Sequence, residues 1–283
     1  MEFKIFSKAL YSTWIYYRPE RLLFDAGEGI STNMGNEIYA IKDIFLTHGH
    51  IDHVSGLWGI INTRNNAMGD KTKPLRITYP KNNRAIESYV QFIKQMNPHL
   101  KYDILMNPVE EGEIVFLRYA GNFKRTVVPF KVKHTPGEIS LGYNIVEERH
   151  KLKGKYKDKS SKEIAKISKQ MGKDEVTYTY NKNILTISGD TFALPISVIN
   201  DTETLLHECT FLKTEDRRSE NHSSLEEVLN NVSKVNGMKR LILYHISSRY
   251  IGRWSKWKKY IEEQMKDSDI NVCIVHPQKL FTL

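Results

Sequence analysis

Seven residues, Thr47-His48-Gly49-His50-Ile51-Asp52-His53, hold three imidazoles and one carboxylate directly after the apolar run Ile44-Phe45-Leu46. Imidazole nitrogens mixed with a carboxylate suit zinc or a similar borderline divalent ion. Four such donors in one turn exceed what a single ion takes while keeping room for water and substrate. The economical arrangement is two ions sharing the turn, with His48 and His50 facing one and Asp52 and His53 facing the other. The competing reading is a His-rich surface turn without metal.

The elements that must position this chemistry follow one rule. Leu22-Leu23-Phe24 ends at Asp25, Ile44-Phe45-Leu46 at His48, and Phe130-Lys131-Val132-Lys133 at His134. Ile184-Leu185-Thr186-Ile187 ends at Gly189-Asp190, Leu205-Leu206 at His207-Glu208, and Leu241-Ile242-Leu243-Tyr244 at His245. Read as strands, these segments all deliver polar residues at their C-terminal ends. Such residues would gather on one edge of the sheets, in loops held by a rigid scaffold. Helices are expected between them. Ile86, Tyr89, Val90 and Ile93 follow the cap candidate Asn82-Asn83, and Leu225, Val228, Leu229 and Val232 follow Ser224 with Glu227 as a capping box. Trp254, Trp257 and Ile261 line one face of a third helix, with Lys256, Lys258 and Lys259 off it. Core packing rather than base stacking is expected of that Trp pair.

The chain has 283 residues, 40% of them hydrophobic and 27% charged, enough for a full core in one soluble domain spanning 1–283. No apolar run nears the roughly 18 residues of a membrane span, and Met1-Glu2-Phe3-Lys4 opens no secretion-type block. Cys209 and Cys273 are the only cysteines, so a reducing cytoplasm is the expected location. Charge is unevenly placed. Between Arg149 and Lys173 stand ten basic residues against two acids, which carries eight of the net nine positive charges. Residues 149–176 therefore read as an inserted Lys-rich arm for a polyanion. Within it Ser160 and Glu163 form a capping box, and Ile164, Ile167 and Met171 form an apolar stripe expected to seat a helix. Lys162, Lys166, Lys169 and Lys173 fall on the opposite side, facing outward. Lys153, Lys155, Lys157 and Lys159 precede them.

The His48–His53 pattern resembles that of the metallo-β-lactamase superfamily. The resemblance implies an α/β fold, an αβ/βα four-layer sandwich of two mixed β-sheets flanked by helices. It also implies that His134, Asp190 and His245 complete the ligand set. One zinc would take His48, His50, His134 and Asp190, and the other Asp52, His53, Asp190 and His245. Manganese or another divalent ion is the alternative. Asp25 would accept an imidazole N–H and fix its tautomer. His99, His150 and His276 lack such settings.

Three further features narrow the family. Leu206-His207-Glu208-Cys209-Thr210-Phe211, taken with Asn221-His222-Ser223-Ser224, is similar to the HEAT-type and HST-type loops of tRNase Z. His245-Ile246-Ser247-Ser248-Arg249-Tyr250 resembles that family's HxSxRY ending, and Phe24-Asp25-Ala26-Gly27-Glu28-Gly29 its first-strand loop. The resemblance covers essentially the whole chain, with one departure. Most members carry a long arm with a Gly-Pro tip between the equivalents of His134 and Asp190, whereas here the Lys-rich segment fills that interval, as in the Thermotoga-type branch. What the resemblance implies is a zinc-dependent endoribonuclease removing the 3′ trailer of precursor tRNA. Its ions would activate water for in-line attack on phosphorus, leaving a 3′-hydroxyl on the tRNA and a 5′-phosphate on the trailer. The branch implies cleavage after an encoded CCA.

Asp52, His222 and Glu208 are the expected catalytic residues, with His222 as general acid held by Glu208. A His–Glu pair that merely ties two loops is the competing reading. Ser247, Ser248 and Arg249 are candidates for holding phosphate, with a structural role the alternative for Arg249. The loop from Asn62 to Asn83, with Arg64, Met68 and Lys71, is the candidate for barring mature ends. A homodimer is implied by the family; no membrane or DNA partner is expected. The rival readings are a small-molecule phosphodiesterase of the same superfamily and a non-catalytic RNA-binding relative. The first leaves the basic arm unexplained, and metal content with turnover would exclude the second.

Overall fold

Along Phe3–Lys8 buried and half-exposed side chains alternate, and along Ser12–Tyr17 every residue is buried. The first pattern is a strand with one face covered, the second a strand packed on both sides. The computed structural model describes residues 2–66, 73–117, 124–218 and 221–283. Strands run in chain order as β1 (Phe3–Lys8), β2 (Ser12–Tyr17), β3 (Leu22–Phe24), β4 (Asp43–Phe45), β5 (Leu75–Pro80) and β6 (Ile104–Val109). They continue as β7 (Val115–Phe116), β8 (Lys124–Lys131), β9 (Leu141–Leu152), β10 (Thr177–Ile187), β11 (Thr204–Glu208), β12 (Arg240–Tyr244), β13 (Asn271–Ile274) and β14 (Phe281–Thr282).

Two sheets result among the described residues, ordered β14-β1-β2-β3-β4-β5-β6 and β13-β12-β11-β10-β9-β8-β7. Each is mixed: β3 to β6 and β10 to β13 pair in parallel, and the remaining neighbours pair antiparallel. The helices are α1 (Ile30–Met34), α2 (Ile51–Val54), α3 (Leu57–Asn66), α4 (Arg84–Met96), α5 (Ser161–Met171), α6 (Lys173–Val176), α7 (Ile196–Ile199), α8 (Leu225–Val232) and α9 (Trp254–Gln264).

Three apolar layers define four structural ones. Phe24, Phe45, Tyr143, Leu206, Ile242 and their neighbours fill the space between the sheets. Ile30, Leu57, Ile60, Ile86 and Val90 pack α1, α3 and α4 on the outer face of the first sheet. Val228, Val232, Trp257 and Ile261 pack α8 and α9 on the outer face of the second. This is the αβ/βα sandwich expected from the sequence, and Trp257 lies in its core. Asn83 caps α4 by accepting from the Ile86 amide, and Ser224 with Glu227 closes a capping box on α8.

Beyond Glu148, the last β9 residue paired with β8 among the described residues, β9 and β10 continue as a ribbon carrying α5 and α6. The capping box at Ser160 and Glu163 forms. The apolar stripe seats the helix only in part: Ile164 and Ile167 are half-buried, and Met171 is 66% exposed. The ribbon holds α5 away from the main body of the sandwich, and the arm has its own small apolar centre in the buried Tyr156 and Val176.

Candidate metal centre and active site

Asp25 directly follows β3, the Thr47–His53 turn follows β4, and His245 directly follows β12. Ser188-Gly189-Asp190 follows β10, Glu208 ends β11, and His134 lies just past β8. Asp25 and His245 both take left-handed backbone conformations, with φ of 55° and 58°. For non-glycine residues such a conformation costs roughly 1–3 kcal/mol each and persists only where surroundings enforce it. Here the Asp25 amide donates to the Phe45 carbonyl at 2.9 Å, and the His245 amide to Ser7 Oγ at 2.9 Å. The twist turns each side chain off its strand end toward the others. Gly49 is equally constrained, because a Cβ there would lie 2.6 Å from Asn83 Oδ1.

Four imidazoles share one orientation. His53 Nδ1 lies 2.7 Å from Asp25 Oδ2, and His134 Nδ1 lies 2.9 Å from the Asn221 carbonyl. Both acceptors require Nδ1 to carry the hydrogen. Thr47 Oγ1 donates to Asp25, so it accepts from His48 Nδ1 at 2.9 Å. Thr210 Oγ1 donates to Glu208 Oε2 and accepts from His245 Nδ1 at 2.9 Å. Each imidazole is thereby left with a bare Nε2, the state a metal ligand needs.

Those bare atoms converge. His53 Nε2 and His245 Nε2 each lie 3.3 Å from Asp190 Oδ2, with His48 Nε2 at 3.9 Å from the same oxygen. Asp52 Oδ2 lies 3.6 Å from His53 Nε2 and 3.5 Å from His245 Nε2. His50 Nδ1 approaches His134 Nε2 to 3.2 Å. His48, His53 and His245 Nε2, together with Asp190 Oδ1, are buried and have no hydrogen-bond partner among the described residues. Unpartnered polar atoms of this kind are costly unless something satisfies them. The residues therefore fit divalent cations, as groups that could hold one: His48 with His50 and His134, His48 with His53 and Asp190, and Asp52 with His53 and His245. Asp190 lies between the first and last of these.

The electrostatics favour neutral rings at His48 and His134. At His53 burial is outweighed by Asp190 and Asp25, which raise it well above the imidazole range, so a cation would have to displace its Nε2 proton. Burial, reinforced by the neighbouring His53, lowers His48 well below the usual imidazole range. Burial likewise lowers His134. Burial alone would raise Asp190, but His245, His53 and His48 hold it well below the carboxylate range, so it stays charged.

Beside this cluster, His222 Nδ1 lies 3.0 Å from Glu208 Oε1 and 4.0 Å from Asp190 Oδ2. Glu208 is fully buried and also accepts from the amides of Thr191, Thr210 and Ser223. Burial works to lower His222, but the charge and hydrogen bond of Glu208 outweigh it and push it up to about 9. Cations bound alongside would oppose that rise. Arg217 donates to the His222 carbonyl at 3.0 Å and pairs with Glu227 at 2.7 Å, fixing the loop in front of α8.

The other expected residues are spread more widely. Ser247 and Ser248 are half-buried next to His245, and Arg249 is exposed with its guanidinium 5.5 Å from the Phe211 ring. The lysines from Lys153 to Lys173 lie on the ribbon and its helices, away from the cluster. Two are already engaged: Lys153 donates to the Asp174 carbonyl, and Lys155 pairs with Glu175 at 2.6 Å. Arg64 does not present itself on a loop. It is buried in α3 and donates to the Ile41 carbonyl at 3.0 Å. Met68 and Lys71 fall outside the described residues.

Sequence reasoning assigned no role to Thr47, Thr210, Asn221 or Glu138. Glu138 Oε1 accepts from the Gly49 amide and from Asn83 Nδ2, both at 2.8 Å, tying the histidine turn to the start of α4. The threonines carried a usable signal, since each sits within two residues of a side chain already singled out.

The metallo-beta-lactamase superfamily pattern matches residues 11–152. A ribonuclease Z from Ligilactobacillus salivarius (strain UCC118) is 31% identical over 289 residues, covering 92% of this chain and 86% of that protein. One from Thermococcus kodakarensis (strain ATCC BAA-918 / JCM 12380 / KOD1) is 28% identical, covering 88% of this chain and 81% of its own. Among solved structures, the metallo-beta-lactamase fold protein YhfI from Bacillus subtilis superposes with a TM-score of 0.61 at 16% identity, covering 99% of both chains. A long-form RNase Z from yeast gives 0.52 at 16% identity, covering 87% of this chain and 34% of that one. These structural likenesses bear on the fold; the sequence relatives bear on the family. This chain belongs to the ribonuclease Z family of endoribonucleases, within the metallo-beta-lactamase superfamily.

Proposed function

We propose that the protein removes the 3′ trailer of precursor tRNA with two zinc ions, leaving a 3′-hydroxyl on the tRNA and a 5′-phosphate on the trailer. The observation that carries this reading is the set of bare, buried donor atoms around Asp190, with a carboxylate-held histidine 4.0 Å away. In this reading one ion takes His48, His50, His134 and Asp190. The other takes Asp52, His53, Asp190 and His245. Bound there, the ions would lower the pKa of water to about 7 and stabilise charge on phosphoryl oxygens.

The chain's own residues do the rest. Thr47, Thr210, Asp25 and the Asn221 carbonyl hold the imidazoles in the ligating tautomer. His222 keeps its Nδ1 hydrogen on Glu208, which leaves Nε2 to pass a proton to the leaving 3′-oxygen. Ser247, Ser248 and Arg249, which follow His245, would contact a phosphate in this reading. The lysines of residues 149–176 dock the tRNA body by charge, in line with a short basic arm, and cleavage falls after an encoded CCA.

The active assembly is a homodimer in the cytoplasm. The support is an apolar surface on α2, α3 and α4, where Ile51, Trp58, Phe92 and Met96 are 40–64% exposed and the Trp58 and Phe92 rings lie 6.2 Å apart. A second copy covering it would remove that surface from water. The deciding experiment is end-mapping of the products of precursor tRNAs with and without an encoded CCA. A trailer released with a 5′-phosphate supports the reading, and a 5′-hydroxyl on the trailer would refute it.

A further inference from the structure

At the strand ends opposite the metal centre, a cavity of about 440 Å³ opens at the edge of the first sheet, and Phe116 of β7 lines it from the second. Along β4 it lies about 13 Å from the histidine turn, taking roughly 3.3 Å per residue from Asp43 to Thr47. Arg21, Lys42, Arg64, Lys73 and Arg76 all line it, while Asp43 is the one carboxylate among the described lining residues. Asp43 is committed to Arg76, 2.6 Å away. Crowded like charges repel one another, so Arg21 and Lys42 beside the Arg76–Asp43 pair favour a multivalent anion over chloride or a lone carboxylate.

Arg64 sharpens the point. Its side chain is 2% exposed and donates to the Ile38, Tyr39 and Ile41 carbonyls, so it adds a buried positive charge behind the wall. At the open wall the exposed Arg21 presents a planar guanidinium, which matches phosphate geometry. The walls add a second preference. Tyr39 and Phe116 line the same cavity, and Phe116 leaves 61% of its surface in water at the mouth. Exposed aromatic rings beside cations offer a stacking face for a base. The volume falls in the range of small-ligand sites and is too small for a folded domain.

We infer that this cavity binds a nucleotide by its phosphomonoester, with the base against Phe116 and Tyr39. The ligand is a free nucleoside monophosphate or the 5′-phosphorylated end of an oligonucleotide, which present the same group. The site is separate from the metal centre and stands independently of the tRNA-processing reading.

The test is calorimetric titration of AMP into the metal-loaded protein, its Arg21→Ala/Lys42→Ala variant and its Phe116→Ala variant. The unmodified chain should show two classes of site, one of them in the metal centre. The double variant should lose the other class by at least tenfold, with bis(p-nitrophenyl) phosphate hydrolysis unchanged. Phe116→Ala keeps every cation, and should weaken AMP while leaving inorganic phosphate binding as it was. A 2′-O-methyl tetranucleotide bearing a 5′-phosphate should compete with AMP for this class, and its 5′-hydroxyl twin should not. Identical isotherms for the unmodified and double-variant chains would overturn the inference. So would AMP binding no tighter than inorganic phosphate, or equal competition by the two tetranucleotides.

Discussion

A histidine ligates metal only when one ring nitrogen is bare, and here oxygen acceptors decide which one. Thr47 and Thr210 perform the same task on opposite sides of the cluster, each donating to a buried carboxylate and accepting from an imidazole. Thr47→Val should therefore weaken metal retention by about 10- to 100-fold, the usual range for a lost outer partner of a ligand. Dialysis against graded chelator checks this, and unchanged retention would contradict it. His222 has a different role. His222→Ala should lower precursor cleavage by about two to four decades, the range for a lost general acid, with metal content unaltered. The pH profile separates its two readings. An acid works while protonated, so activity falls as pH rises through its pKa. Glu208 raises that pKa, so Glu208→Gln should move the alkaline limb to lower pH. A limb that stays in place would make the pair a structural tie.

At the scale of elements, strands end where chemistry begins, and this was legible before any coordinates. Apolar runs terminating in Asp25, His48, Asp190 and His245 can only bring those residues together if the strands share an edge. The capping boxes at Ser160 and Ser224 were equally readable, because a cap is a local exchange of hydrogen bonds. Non-local facts were not. Periodicity told which face of α5 is apolar but not that the ribbon carries it clear of the body, so the stripe is only half covered. A count of charges ending at Lys173 missed that Asp174 and Glu175 follow at once and that Glu175 folds back onto Lys155. Arg64 lies in a loop-like stretch of sequence, yet the fold buries it against main-chain carbonyls. Lys162, Lys166, Lys169 and Lys173 remain exposed. Reversing all four to Glu should weaken precursor-tRNA binding and flatten its salt dependence, while sparing bis(p-nitrophenyl) phosphate hydrolysis. Equal loss of both activities would argue against a docking arm.

For the whole molecule, two sheets facing one another place the ligand loops of both at one rim, and α2 to α4 carry the apolar surface beside it. If a second copy covers that surface, the unmodified chain should sediment at twice its 33.0 kDa. Trp58→Glu/Phe92→Glu should then sediment as a monomer, and a monomeric unmodified chain would contradict the assembly. The central claim is the paired metal centre. Its most direct test is anomalous diffraction from crystals grown with zinc, collected on both sides of the zinc absorption edge. The account predicts two peaks flanking Asp190, one among His48, His50 and His134 and the other among Asp52, His53 and His245. A single peak, or zinc bound elsewhere with this cluster empty, would contradict it.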